Sequence, residues 1–194
     1  MKDLFIDFNA NCELNSIYKL FEIINKNPST KIVLRISSII GNCFAGILAF
    51  NKLNAISHNI ELVTYNSSSI SASALPIYYA GNKRYAASTS SFHIGFNQWS
   101  SENRDVDELV EDCNRFMAFD ETIMRIFKIR NDLVNFDIEN KFYNSETISI
   151  EEALNTRLVH EIRENINDEL VNIDYSHFII SQDINDKLVV DQLR

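Results

Sequence analysis

Glycine and proline are scarce, with four and two residues among 194. So little of either leaves few places for a flexible linker, and one domain with a sizeable core is expected. Cysteine is sparse too. Cys12, Cys43 and Cys113 are odd in number, widely spaced and form no CxxC pair, which argues against a zinc site or a disulfide framework. Reduced thiols in a cytoplasm are the expectation. No apolar run is long enough to span a bilayer. The opening "MKDLFIDFNANCELN" is acidic and polar where a secretion signal needs apolar residues. Positive charge is in deficit: 18 Lys and Arg against 27 Asp and Glu, a formal net charge of −9. A nucleic-acid partner normally needs a clustered basic face, so none is expected.

What is present is an ordinary globular balance, 45% hydrophobic and 23% charged. "LFIDFNA" predicts a strand. "ELNSIYKLFEIINKN" places Leu14, Ile17, Leu20, Phe21 and Ile24 on one helical face. "KIVLRIS" is a β-branched strand, "FAGILAFNKLNAIS" a helix with Ile47, Leu48, Leu53 and Ile56 inward, and "IELVTY" the next strand. "SASALPIYYAG" reads as a small-residue helix ending on Gly81 as its C-cap. "RYAAS" and "SSFHIGF" suggest further short strands. A long helix follows over about 105–129, its apolar stripe drawn from Val106, Leu109, Val110, Cys113, Phe116, Met117, Ile123 and Phe127. In "ISIEEALNTRLVHEI", Ser149 caps a short helix with Glu151 and Glu152 in its first turn. The tail has one strand candidate, "HFIIS". Alternating strands and helices predict an α/β fold with a parallel sheet and right-handed crossovers.

Ligands in such folds gather beyond the carboxyl ends of the strands. Two strand ends there turn into helices through small polar residues, "RISSIIGNCFAG" and "YNSSSISASA". Free N–H groups at a helix start can hold an oxyanion, and a serine there can act as a nucleophile if a histidine base is in reach.

Three segments carry a family resemblance. "KIVLRISSIIGNCFAGILAFNKL" resembles the strand, S-P-G-G turn and helix of the ClpP-type serine peptidases. "AGNKRYAASTSSFHIG" resembles their A-G…K-R-x-A…N-S-x-(F/I)-M-I-H stretch, and "ISIEEALNTRLVHEI" their (F/L)-S-A-x-E-A-x-x-x-G-L-(V/I)-D-x-I. Order and spacing agree over roughly 5–162, with about 163–194 a divergent C-terminal extension of one ClpP-like domain. The resemblance implies the ClpP/crotonase fold, stacked βαβ units with a protruding long helix used for assembly. It also implies homo-oligomeric rings, peptide substrates, and an AAA+ unfoldase or an active ClpP paralogue as partner, with no cofactor and no metal.

The resemblance does not carry over residue by residue. Counted back from Gly81, the family nucleophile falls on Ala72; counted forward from Tyr85, the family base falls on Gly95. Ser71 flanks the first position. His93 lies two residues before the second, on the same strand face but about 6–7 Å away. The glycine pair of the S-P-G-G turn reads Ile40-Gly41, so an oxyanion would be held by the N–H groups around Ile40, Gly41 and Ala72. The third member falls near Lys141, with Asp137 and Glu139 the nearest acids; the G-L-(V/I)-D turn has Arg157 for glycine and His160 for aspartate. Ser71 is thus a displaced nucleophile or a helix cap. His93 is a displaced base or a structural strand histidine. Three functions stay open: a serine peptidase homologue cleaving peptides through Ser71 and His93, a catalytically inactive scaffold or peptide-binding ring subunit, and a crotonase-like acyl-CoA enzyme.

Overall fold

The computed structural model describes residues 2–71, 73–95, 105–129, 137–169 and 174–193. In chain order the elements are β1 (Asp3–Asn9), α1 (Leu14–Lys26), β2 (Lys31–Ser38), α2 (Cys43–Ile56), β3 (Glu61–Ile70), α3 (Leu75–Tyr79), β4 (Lys83–Ala86), β5 (Ser91–His93), α4 (Val106–Ile129), α5 (Ile138–Asn144), β6 (Thr147–Ile148), α6 (Ile150–Asn155), β7 (Glu161–Ile162), β8 (Tyr175–Gln182) and β9 (Leu188–Leu193). A 3₁₀ turn, Ile166–Glu169, joins β7 towards β8. The strands form one mixed sheet in the order β6-β5-β3-β2-β1-β8-β9, with β4 beside β3 and β7 beside β4. β1, β2 and β3 are parallel, as the alternation of strand and helix requires.

Period-two alternation sends Leu4, Ile6, Phe8, Ile32, Leu34, Ile36 and Leu62 to one sheet face. There they pack with Ile17, Leu20 and Phe21 of α1 and Ala45, Ala49, Phe50 and Leu53 of α2. The intervening residues Phe5, Val33, Val63, Tyr65 and Tyr85 form a smaller cluster with Ile166. Fully burying one Leu, Ile or Phe side chain stabilises by roughly 1.5–3 kcal/mol, so the first face dominates folding.

Several expectations change. Leu53 of α2 is buried, and Ile47, Leu48 and Ile56 are partly buried against the core, but Cys43, Ala45, Gly46, Ala49 and Phe50 share the inward face with them. Small residues face inward because α2 approaches the rest of the chain closely: a Cβ on Gly46 would stand 1.9 Å from the Ser73 carbonyl oxygen. β3 runs on through the serines to Ile70. The hydroxyl of Ser67 donates to Ile36 O (3.3 Å), Ser68 meets Ser37 (2.7 Å) and Ser69 accepts from Ser91 (3.1 Å), so cross-strand partners satisfy the serines without a turn. Gly81 is not in a left-handed cap conformation. It is glycine because a Cβ would stand 2.3 Å from Thr64 Oγ1.

The stripe on α4 is not a core face along its whole length. Ile123 and Phe127 are buried, and the Phe127 ring packs tilted against Tyr79 at 4.6 Å between centroids. Val106 (74% exposed), Val110, Cys113 and Met117 (61%) face solvent, while Asp112 on another side of the same turns is buried. The tail supplies two strands rather than one: β8 lies parallel to β1, and β9 returns antiparallel to β8.

Candidate active site and what fills it

The loops after β1, β2 and β3 meet at one end of the sheet. Cys12 N donates to Ile40 O (2.9 Å) and Asn42 N to Cys12 O (2.8 Å), a single parallel bridge that fixes the Ile40-Gly41 turn. Gly41 is required there, since a Cβ would lie 2.5 Å from Cys12 Cβ. Asn42 then caps α2, its side-chain oxygen accepting from Phe44 N (2.8 Å). Among the described residues the N–H groups of Ile40 and Gly41 take no backbone partner, and the side chains of Ile39 and Ile40 are exposed. The buried Cys12 thiol is 3.4 Å from Ser73 O, and burial above all pushes its pKa well above the usual thiol range, which keeps it un-ionised.

Ser71 stands one residue past β3. Its N–H donates to Ser38 O (3.0 Å), and its carbonyl accepts from Ala74 N (3.0 Å) and Leu75 N (2.9 Å). The cap of α3 is Ala74 with no side-chain bond, so Ser71 supports that helix through its backbone and not through its hydroxyl. The hydroxyl lies 3.3 Å from that of Ser73. His93 ends β5 with an exposed ring, Nδ1 3.3 Å from Thr147 Oγ1. The β3–β5 ladder pairs Ser69 with Ser91 and Ile70 with Phe92. Continuing that register by one residue sets Ser71 across from His93 on strands about 4.8 Å apart. Among the described residues no hydrogen bond joins the two side chains. Ala72 lies outside the described residues.

Gly95, where the resemblance puts the base, is buried against Ser145. A Cβ there would stand 2.8 Å from Ser145 Oγ, 3.0 Å from its Cβ and 3.1 Å from its Cα. Ser145 ends α5 in the left-handed conformation (φ 50°), and the chain on either side of it is fixed: Ser145 N donates to Phe142 O (3.2 Å) and Ile94 N to Glu146 O (2.9 Å). The place for a side chain at position 95 is therefore taken by the α5–β6 connection.

Lys141, near the position of the family acid, carries the opposite charge. Its ammonium is paired with Glu152 and with Glu146 (3.0 Å), and hydrogen bonding, to Glu152 first, pushes its pKa up. A lysine so held keeps its proton and cannot serve as a base. Asp137 caps α5 through Asn140 N (3.2 Å), and Glu139 pairs with Lys128. Neither hydrogen-bonds to His93 among the described residues.

Two residues that sequence reasoning left aside are structurally central. Arg84, almost wholly buried, donates from Nε to Leu158 O (2.9 Å) and from Nη2 to Arg157 O (2.8 Å), and its guanidinium lies 4.9 Å from the Tyr79 ring centroid. It holds the turn where Arg157, in place of the family glycine, adopts φ 61°. His160 joins this staple: its Nδ1 accepts from Arg84 N (3.2 Å) and its N–H donates to Arg84 O (2.8 Å). On the opposite sheet face the buried Asp7 accepts from Arg35 Nε (2.5 Å) and Nη2 (2.6 Å) and lies 2.9 Å from His177 Nε2, cross-linking β1, β2 and β8. The signal for both lay in charged residues placed inside strands. Among the described residues no three His, Cys, Asp or Glu side chains cluster to hold a metal, and no helix is long and apolar enough to cross a membrane.

Comparison with known proteins agrees with this architecture. The structure superimposes on a ClpP1 mutant from Listeria monocytogenes with a TM-score of 0.68 at 16% identity, covering 84% of this chain and 92% of that one. No curated protein matches. The fold, the Ile40-Gly41 turn after β2, the β3–α3 junction and the Arg84 and Ser149 motifs stand in one order along the chain, and the family model for Clp protease matches residues 5–166: the chain belongs to the Clp protease family.

Proposed function

We propose that this chain is a non-catalytic Clp protease homologue, a ring subunit that contributes surface and peptide contacts instead of a hydrolytic site. The observation that carries this reading is the contact between Gly95 and Ser145, which crowds any side chain at the position where the resemblance puts the base. The charge reversal at Lys141 points the same way. Assembly is supported by α4, whose Val106, Val110, Cys113 and Met117 recur at spacings of four, three and four and lie exposed. Such a seam suits packing against further copies or against an active paralogue, with an AAA+ unfoldase acting on the assembled particle in a cytoplasm. A peptide would run past the exposed Ile39, Ile40 and Phe44 at the strand ends.

A second reading has its own observation. Continued by one residue, the β3–β5 register would set Ser71 opposite His93, and a rotation of His93 away from Thr147 would then bring a base towards a serine. Ser71 would attack, His93 would accept its proton, and the N–H groups of Ile40 and Gly41 would hold the oxyanion. Hydrolysis of short fluorogenic peptides by the purified chain separates the readings. Background rates, unchanged in Ser71→Ala, support the non-catalytic subunit; turnover lost in both Ser71→Ala and His93→Ala supports the displaced dyad.

A further inference from the structure

We infer that the outer edge of β9 pairs with β9 of a second copy of this chain, antiparallel, across a two-fold axis at Val189. Among the described residues β9 ends the sheet and is paired on one side only, with β8. Strands β6 and β7, which lie at other margins, are two residues long, whereas β9 has six. An edge strand exposes a row of unpaired N–H and C=O groups, which proteins usually blunt with lysine, proline or a bulge. "LVVDQL" contains no proline, its register with β8 is unbroken from Leu188 to Leu193, and its flanking Lys187 and internal Asp191 are opposite in sign.

The sequence of this edge is complementary to itself. With the axis at Val189, Lys187 stands opposite Asp191 of the second copy, and Asp191 opposite its Lys187. Leu188 stands opposite Val190, again twice, and Val189 meets itself. Lys187 and Asp191 are both exposed, and neither side chain has an ionic or hydrogen-bonded partner among the described residues. Val190 lies on the α1 side of the sheet, at a groove it lines with Ile23 and Phe178, so the second copy's Leu188 extends an apolar surface already begun. Moving the axis to Val190 would set Lys187 opposite Leu193 and Asp191 opposite Val189, losing both ion pairs. Directly opposed unlike charges and opposed apolar residues are the pairs that stabilise antiparallel strands, and an isologous contact repeats each of them. β8 and β9 lie beyond the residues matched to the family, 5–166, so this contact is separate from α4 and independent of catalysis.

Cysteine cross-linking in the full chain tests the register. In a Cys113→Ser background, Val189→Cys sets two thiols face to face within disulfide reach. Mild oxidation is expected to give a covalent dimer on a non-reducing gel, whereas Asp191→Cys, about 13 Å from its own copy in this register, gives little. Adding Lys187→Glu is expected to cut the Val189→Cys dimer about tenfold, since two ion pairs become repulsions together. Lys187→Glu with Asp191→Lys restores it. Equal cross-linking at positions 189 and 191, or a yield indifferent to Lys187→Glu, overturns the proposal. Met117→Glu, which disturbs the α4 seam, is expected to leave the Val189→Cys dimer intact, so failure of either interface is read separately.

Discussion

Ser145 occupies the space that a side chain on Gly95 would need: its Oγ, Cβ and Cα all lie within 3.1 Å of where a Cβ would be. The two residues are fifty positions apart, and the contact packs the position where the resemblance puts the base. Gly95→Ala is therefore expected to destabilise the chain by about 1–3 kcal/mol. Ser145→Gly, which removes the clashing hydroxymethyl and suits the left-handed backbone, is expected to recover part of that loss. Urea unfolding of the two single variants and the double variant measures this; additive effects would show that the contact is not the cause.

Arg84 gives the second prediction. Arg84→Met removes the donors to the Leu158 and Arg157 carbonyls in a buried site and is expected to cost about 2–4 kcal/mol in chemical denaturation. Arg84→Lys recovers little, because an ammonium cannot span two carbonyls and stack on Tyr79 as the planar fork does.

Much of the fold was legible because its signals are local. The first four strand and helix segments follow from apolar periodicity, and Ser149 from its place before "IEE". What was not legible depends on distant partners. The serines of β3 read as a turn because their hydrogen bonds to Ser37 and Ser91 come from other strands. How the α4 stripe divides between core and exposed surface was not legible, because periodicity cannot say which turns of a helix are covered. β9 was missed because its register is set by β8. In the site, counting from Gly81 and Tyr85 gave Ala72 and Gly95 as the positions matching the family dyad. It could not reveal that Ser145 fills one of them.

Acid should loosen the segment after β7. Burial pushes the Glu169 carboxyl up, but hydrogen bonds and charge attraction from Lys31 (2.7 Å) and Arg163 outweigh it and hold the group below the usual range. A depressed carboxylate adds stability that is complete above its unfolded pKa, about 4.3, and disappears as pH falls through the lower folded value. Glu169→Gln is expected to flatten the acid limb of the stability–pH curve over that window and to leave its slope near neutrality unchanged. Denaturation midpoints from pH 2.5 to 7 test this.

The α4 seam predicts a separation of assembly from folding. Met117→Glu and Val110→Glu change exposed side chains, so monomer stability should move by less than about 0.5 kcal/mol. Their sedimentation profiles should shift towards smaller species. Unchanged assembly in both variants would remove α4 from the interface.

On the proposed function no serine in this chain is an activated nucleophile. Reaction with a fluorophosphonate, read by intact-protein and peptide mass spectrometry, tests it most directly. No adduct on any serine is expected under conditions that fully label an active serine hydrolase. An adduct on Ser71, lost in Ser71→Ala and in His93→Ala, would contradict it.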